Sequence, residues 1–194
     1  MLHSLFHEQF LRVTGLGGPR VPSRASVAPA MSSDVESPPN VLRASRSARW
    51  LATWFGCGHS PIAPGTVGSL GTLPLHFALR SLGPVPHAIV TIALTAVGVW
   101  AAQRVSDSLR EEDPSSVVID EVAGTLLAMG IARPAGIVGE LAALALFRVL
   151  DITKPGVIDR VQRLRPAGVG IMADDVLAGL GAGVAIRVVS RWLW

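Results

Sequence analysis

The chain has 194 residues, 49% of them hydrophobic and only 16% charged, with a net charge of +3; that length suits one domain, or one domain with a tail. The single cysteine, Cys57, excludes an internal disulfide and a Cys-rich zinc site, and so small a net charge gives no argument for nucleic acid as a partner. Typical soluble domains carry about 25% charge, so this composition, with a mean hydropathy of +0.46, points to a membrane or a large partner surface. Of the 17 basic residues only Lys154 is a lysine, and tyrosine is absent, the pattern expected of GC-rich coding.

Residues 1–45 hold Pro19, Pro22, Pro29, Pro38 and Pro39, many serines and scattered arginines. Such a segment buries too little apolar surface to offset chain entropy, so a disordered tail is expected. Within it, Leu2, Leu5, Phe6 and Phe10 recur at helical spacing and suit a short amphipathic helix over 1–13. The 7–15-residue apolar core of a signal peptide is not seen there, and Met31 is an alternative translation start.

The body, residues 46–194, is dense in Ala, Leu, Val and Gly, shows no repeat, and has little of the period-2 alternation of strands. Turn residues punctuate it, and helices are expected at about 46–54, 67–81, 86–111, 116–131, 135–151, 155–163 and 171–193. The fold class is therefore all-α, a compact bundle of about six helices. The 22 residues from Ser81 to Ala102 contain no Asp, Glu, Lys or Arg, and the stretch from Pro84 approaches the about 20 apolar residues of a membrane span. The other apolar stretches carry Asp120, Glu121, Glu140, Arg148 and Arg187, and ionisable groups at membrane depth usually line a protein interior or watery cavity. Membrane association is favoured over a hydrophobic soluble bundle. Arg187, Arg191, Trp192 and Trp194 fit an interfacial belt or a buried helix end.

Three clusters carry candidate chemistry. The first is Gly56-Cys-Gly-His-Ser-Pro-Ile-Ala-Pro-Gly-Thr-Val-Gly-Ser-Leu-Gly71. Its glycines let backbone amides approach an anion, and a helix N-terminus adds its dipole; Thr66 or Ser69 serves equally well as a helix cap. No Gly-Lys-Ser/Thr follows, so it is not a Walker A loop. The second holds Asp120 and Glu121 within an apolar run, with Gly124 on the face of Asp120. Buried carboxylates rarely go unpaired, and a structural ion pair with Arg148 is the alternative to a ligand. The third runs from Phe147 to Gly179: Arg148, Asp151 and Lys154 recur every third residue, Gly168 and Gly170 follow, and Asp174 and Asp175 precede Gly179.

Clustered carboxylate oxygens without His or Cys suit Mg²⁺ rather than zinc. Arg148 and Lys154 are candidates to neutralise phosphate oxygens, Arg bidentately and Lys as a point charge. A divalent ion polarises a phosphoryl group and lowers the pKa of an attacking water. This is an inventory for phosphoryl hydrolysis; no adenine-binding or Walker pattern suggests ATP use. His59 is a candidate general acid or a surface histidine. Asp107, Glu111 and Glu112 read as a solvated helix end.

At these residues the chain resembles the phosphatidylglycerophosphatase A family. The shared pieces are Thr53-x-Phe55-Gly56-x-Gly58 with Pro61-Ile-Ala-Pro-Gly-Thr-Val-Gly-Ser69, and Val118-Ile-Asp-Glu-Val-x-Gly124. They continue with Phe147-Arg-Val-Leu-Asp-Ile-x-Lys-Pro155 and Gly170-Ile-Met-x-Asp-Asp-x-x-Ala-Gly179. They occur in the family's order and cover about residues 49–190. The departures are Gly156, where an aromatic is common, and Ala167-Gly168, where a Gly-Gly pair is usual. The resemblance implies a compact all-α fold. It also implies Mg²⁺-dependent conversion of phosphatidylglycerophosphate to phosphatidylglycerol and inorganic phosphate, with association to the bacterial inner membrane.

The expected roles are these. Asp120, Glu121, Asp174 and Asp175 bind metal, with Asp151 as a further ligand or orienting group. Arg148 and Lys154 hold phosphate, and Gly65, Thr66, Gly68 and Ser69 complete its cradle. Asp120, Glu121, Asp151 and Lys154 are the expected catalytic set. Direct attack by water is preferred over a phospho-Asp intermediate, although sequence leaves both open. A soluble phosphatase of another phosphomonoester, or a non-enzymatic membrane cation-binding protein, are the alternatives.

Overall fold

The computed structural model describes residues 44–193, so the expected disordered tail and the helix at 1–13 lie outside the described residues. The described chain forms α1 (Arg46–Ala52), α2 (Pro64–Gly71), α3 (Leu73–Leu82), α4 (Pro84–Leu109), α5 (Ile119–Ala132), α6 (Gly136–Thr153), α7 (Val157–Val161) and α8 (Ala167–Leu193). Short 3₁₀ turns lie at Cys57–His59 and Arg133–Ala135. Six of the helices have eight residues or more, and no strand occurs among the described residues. The all-α expectation is met.

Local chemistry sets the helix boundaries. Ser45 caps α1, its Oγ accepting from the Ala48 amide at 3.2 Å. Pro64 and Pro84 take the first positions of α2 and α4, where a missing N–H costs nothing. The single helix expected over 67–81 is two helices. Pro74 cannot donate to the carbonyl four residues back and its ring crowds that carbonyl, so the helix breaks at Thr72. The Thr72 hydroxyl donates to the Gly68 carbonyl at 2.8 Å and satisfies it there. The helix expected from residue 116 starts at Ile119, because the Val118 amide donates to the Ala52 carbonyl at 2.8 Å instead. The last helix starts at Ala167, and Gly168 and Gly170 lie within its first turn rather than in a loop. A side chain at 168 would collide with the Val99 carbonyl, and one at 170 with the Gln162 carbonyl.

α5 is the central helix. Ile119, Val122, Ala123, Leu126, Ala128, Met129 and Ala132 are all fully buried, because α4, α6 and α8 pack around it. A helix apolar on every side belongs inside such a shell. α5 and α8 cross at two glycines: a Cβ on Gly179 would lie 2.5 Å from the Gly124 carbonyl oxygen, and one on Gly124 would lie 2.5 Å from the Phe147 ring. The space beside Asp120 and Asp175 is thus filled by the facing helix. α4 and α8 are both long and apolar enough to cross a membrane. Val85, Ile89, Ile92, Val97 and Trp100 on α4, and Leu180, Val184, Val188, Val189 and Trp192 on α8, are exposed.

Candidate active site

The fold gathers the sequence's acidic motifs at one end of the bundle. Asp120 and Glu121 stand in the first turn of α5, where free amides and the helix dipole favour negative charge. One turn further on is the Gly124–Gly179 crossing, and Asp175 precedes Gly179 by one turn of α8. The crossing therefore sets the Asp120 and Asp175 turns side by side. Carboxylate oxygens of Asp120, Glu121 and Asp175 lie within 4.8 Å of one another, as do those of Asp151, Asp174 and Asp175. Asp175 is common to both groups.

α6 delivers the cations. Arg148 Nη1 donates to Asp151 Oδ2 at 2.6 Å and lies 3.9 Å from Glu121 Oε1. Lys154 Nζ donates to Asp174 Oδ2 at 2.6 Å. Lys154 also ends α6 in the left-handed region, φ 42°, a conformation that costs a non-glycine residue about 1–3 kcal/mol. The expected Glu121–Arg148 ion pair exists but is long; Asp151 is the closer partner.

These pairs leave much of the site unsatisfied. Asp120 Oδ1, Glu121 Oε2, Asp174 Oδ1 and Asp175 Oδ2 are buried and accept no hydrogen bond, and Arg148 Nε and Ser69 Oγ are likewise without partners. Buried polar atoms are nearly always satisfied in proteins, so the four orphaned carboxylate oxygens with Arg148 Nε beside them mark a position for something else. Burial, with the charges of Glu121 and Asp175, pushes the Asp120 carboxyl well above the ordinary range. Burial also raises Glu121, against the opposing pull of the adjoining Asp120 carboxyl and of the Arg148 charge. Burial lowers the Lys154 ammonium, but the hydrogen bond and charge of Asp174, with Asp113 and Asp151, outweigh it and raise it overall. An all-oxygen set of carboxylates, repelling one another and short of donors, fits a hard divalent cation such as Mg²⁺.

The glycine loop reaches the same place. A side chain at Gly65 would collide with Glu121 Oε1 and come within 3.0 Å of Arg148 Nη2. Gly65 and Thr66 are the second and third residues of α2, where amides have no intrahelical acceptor. Ser69 is buried, while the Thr66 side chain is exposed. Gly68 is pressed against Val118, whose Cβ would lie 3.0 Å from an added Cβ, so its close approach serves helix packing. His59 is exposed in the 3₁₀ turn. At the expected solvated helix end, Asp107 accepts from Gln103 at 2.6 Å and Glu112 pairs with Arg165.

A second polar cluster was not foreseen. His76, His87 and Glu140 are buried; His76 Nδ1 meets His87 Nε2 at 3.1 Å, and His76 Nε2 meets Glu140 Oε2 at 3.1 Å. Arg80 Nε donates to both Glu140 oxygens, at 2.8 and 3.1 Å. The residues are up to 64 positions apart, and no spacing in the sequence signals their meeting.

Comparison with known proteins gives the class, a phosphoric monoester hydrolase, here on an all-helical fold. The family described as phosphatidylglycerophosphatase A matches residues 50–190, and the chain belongs to it. It is 33% identical over 153 residues to the phosphatidylglycerophosphatase A of Escherichia coli K12, covering 78% of this chain and 88% of that one. It is 35% identical over 144 residues to the Haemophilus influenzae protein of the same name, covering 74% and 88%. A Bacteroides thetaiotaomicron protein named "Putative phosphatidylinositol-3-phosphatase" is 39% identical over 151 residues, covering 74% and 92%. No solved structure matches the chain.

Proposed function

We propose that this protein is a Mg²⁺-dependent lipid phosphatase that removes the terminal phosphate of phosphatidylglycerophosphate, releasing phosphatidylglycerol and inorganic phosphate, at a bacterial cytoplasmic membrane. The observation that carries the reading is the set of four buried carboxylate oxygens without partners, flanked by Arg148 and Lys154. Names of relatives support the substrate, and the exposed apolar faces of α4 and α8 support action at a membrane.

Asp120, Glu121, Asp174 and Asp175 would hold Mg²⁺, with Asp151 orienting the neighbouring groups. When bound, Mg²⁺ supplies charge stabilisation to the phosphoryl oxygens and acidifies water. The remaining work belongs to the chain. Asp151 fixes Arg148 through Nη1, which leaves Nε and the rest of the guanidinium fork for phosphate oxygens. Lys154 adds a point charge opposite, and the free amides of Gly65 and Thr66 with the Ser69 hydroxyl complete a donor cradle. Because these donors are fixed before substrate arrives, they stabilise developing charge without reorganisation.

The test is inorganic phosphate release in detergent micelles, with Mg²⁺ or with EDTA. Substrates are phosphatidylglycerophosphate, phosphatidylinositol 3-phosphate and a water-soluble phosphomonoester. Rapid, EDTA-sensitive release from phosphatidylglycerophosphate is expected. Preference for the inositol lipid, as the Bacteroides relative's name suggests for that protein, would reassign the headgroup and keep the site. Release from the soluble ester alone would overturn the lipid reading.

A further inference from the structure

The end of the bundle away from the acids has the opposite chemistry. It is built from residues 76–92, 126–140 and 183–193. These segments contain four arginines (Arg80, Arg133, Arg187 and Arg191) and one acid, Glu140. Glu140 is already engaged by Arg80 and His76. Arg133 and Arg187 pair with no carboxylate among the described residues. Arg133 Nη1 is buried without any partner, and Arg187 Nη1 makes only a 3.4 Å bond to the Ile131 carbonyl. A buried guanidinium nitrogen without an acceptor is costly, so Arg133 Nη1 calls for an acceptor that the protein itself does not supply.

Both arginines border one groove of about 360 Å³, floored by Ile92, Leu126, Leu127 and Ile131. An adjoining hollow of about 540 Å³ brings Arg80 to the same mouth. Ile92 on the groove wall is exposed, as are Ile89 on α4 and Val184 and Val188 on α8. Two unpaired guanidiniums above an apolar floor match a phosphate joined to hydrocarbon, and a free phosphate would leave the floor bare. Arg133, the residue that ends α5, follows Asp120 by thirteen residues, about 20 Å at 1.5 Å per residue, too far to be part of the acid site.

We propose that this groove binds the phosphate of an anionic phospholipid, distinct from the molecule at the acid site, with Arg133 and Arg187 on its headgroup and an acyl chain along Ile92, Leu127 and Ile131. The lipid is held at the far end of the bundle and is not turned over.

The test uses the full chain in detergent with EDTA, titrated with dioctanoyl phosphatidylglycerol, dioctanoyl phosphatidylcholine or inorganic phosphate. Native mass spectrometry reads the bound lipid. Phosphatidylglycerol binding is expected, with neither phosphatidylcholine nor inorganic phosphate displacing it. The Arg133→Gln/Arg187→Gln variant should bind it at least about tenfold more weakly, the scale of lost charge-assisted hydrogen bonds. Ala88→Phe, on the groove wall, keeps every arginine and should also weaken binding, which covers the case of a misfolded double variant. Undiminished binding by both variants, equal binding of phosphatidylcholine, or displacement by inorganic phosphate each overturns the proposal. Asp120→Asn should retain the lipid, so failure of the phosphatase assay leaves this inference standing.

Discussion

Replacing Asp120 by Asn separates a ligand role from a structural one, because the two predict opposite changes in stability. Without metal, Asp120 lies within 4.8 Å of carboxylate oxygens of Glu121 and Asp175. Two unit charges at that distance repel by about 3.5 kcal/mol at an effective dielectric of about 20. Escape by protonation costs about 4 kcal/mol at pH 7 for a carboxyl of ordinary pKa near 3.9. By either route the metal-free cluster stores roughly 3–4 kcal/mol. Asn removes most of this but must satisfy an amide, leaving a net gain of about 1–2 kcal/mol. At about 2–4 °C per kcal/mol for a chain of this size, the variant should melt roughly 2–8 °C higher in EDTA. Mg²⁺ should then stabilise the wild type, by about 2.7 kcal/mol at a hundredfold excess over Kd, and the variant far less. Turnover should fall by at least about 10²-fold. The assays are thermal melting in EDTA and in Mg²⁺, and phosphate release. A lower melting temperature in EDTA with an intact Mg²⁺ response would refute the reasoning and make Asp120 a satisfied structural acid.

Other outcomes follow from the same geometry. Folding raises the pKa of Asp120 and Glu121, so their contribution to stability is fully present below the unfolded values near about 4 and is lost as pH rises through the folded values. In EDTA the melting temperature should therefore fall as pH climbs out of the acidic range, and Mg²⁺ should flatten that slope; a rise would contradict it. Gly179→Val puts side-chain atoms where even a Cβ would lie 2.5 Å from the Gly124 carbonyl oxygen; a loss of at least about 2 kcal/mol is expected, read as a drop in melting temperature. Lys154→Met removes the partner of Asp174 Oδ2. It should reduce phosphate release by about 10²-fold or more, and near-normal release would remove Lys154 from the phosphate site.

Much of the acid site is legible from the primary structure, because each helix brings its own group of residues. Asp120 with Glu121, Asp174 with Asp175, and Arg148 with Asp151 and Lys154 are each local patterns in apolar surroundings, where a charge is costly unless something binds it. The glycines are legible only in part. Gly124 and Gly179 stand out as small residues on the acid faces, but only packing shows that they meet each other and thereby bring Asp120 to Asp175. Gly168 and Gly170 look like a loop and are in fact the start of α8, since what requires them is the backbone of α4 and the 162–164 turn.

The sequence by itself determined the all-helical class, the acidic motifs and the Arg148, Asp151 and Lys154 flank, because helical periodicity and buried charge are properties of short segments. Only the tertiary structure decided which carboxylate oxygens remain without partners, and which cation each acid takes. It alone joined His76, His87, Glu140 and Arg80, and it alone set Arg133 and Arg187 over one groove. Those are distances between residues remote along the chain, fixed by how closely helices cross, and no local pattern encodes them.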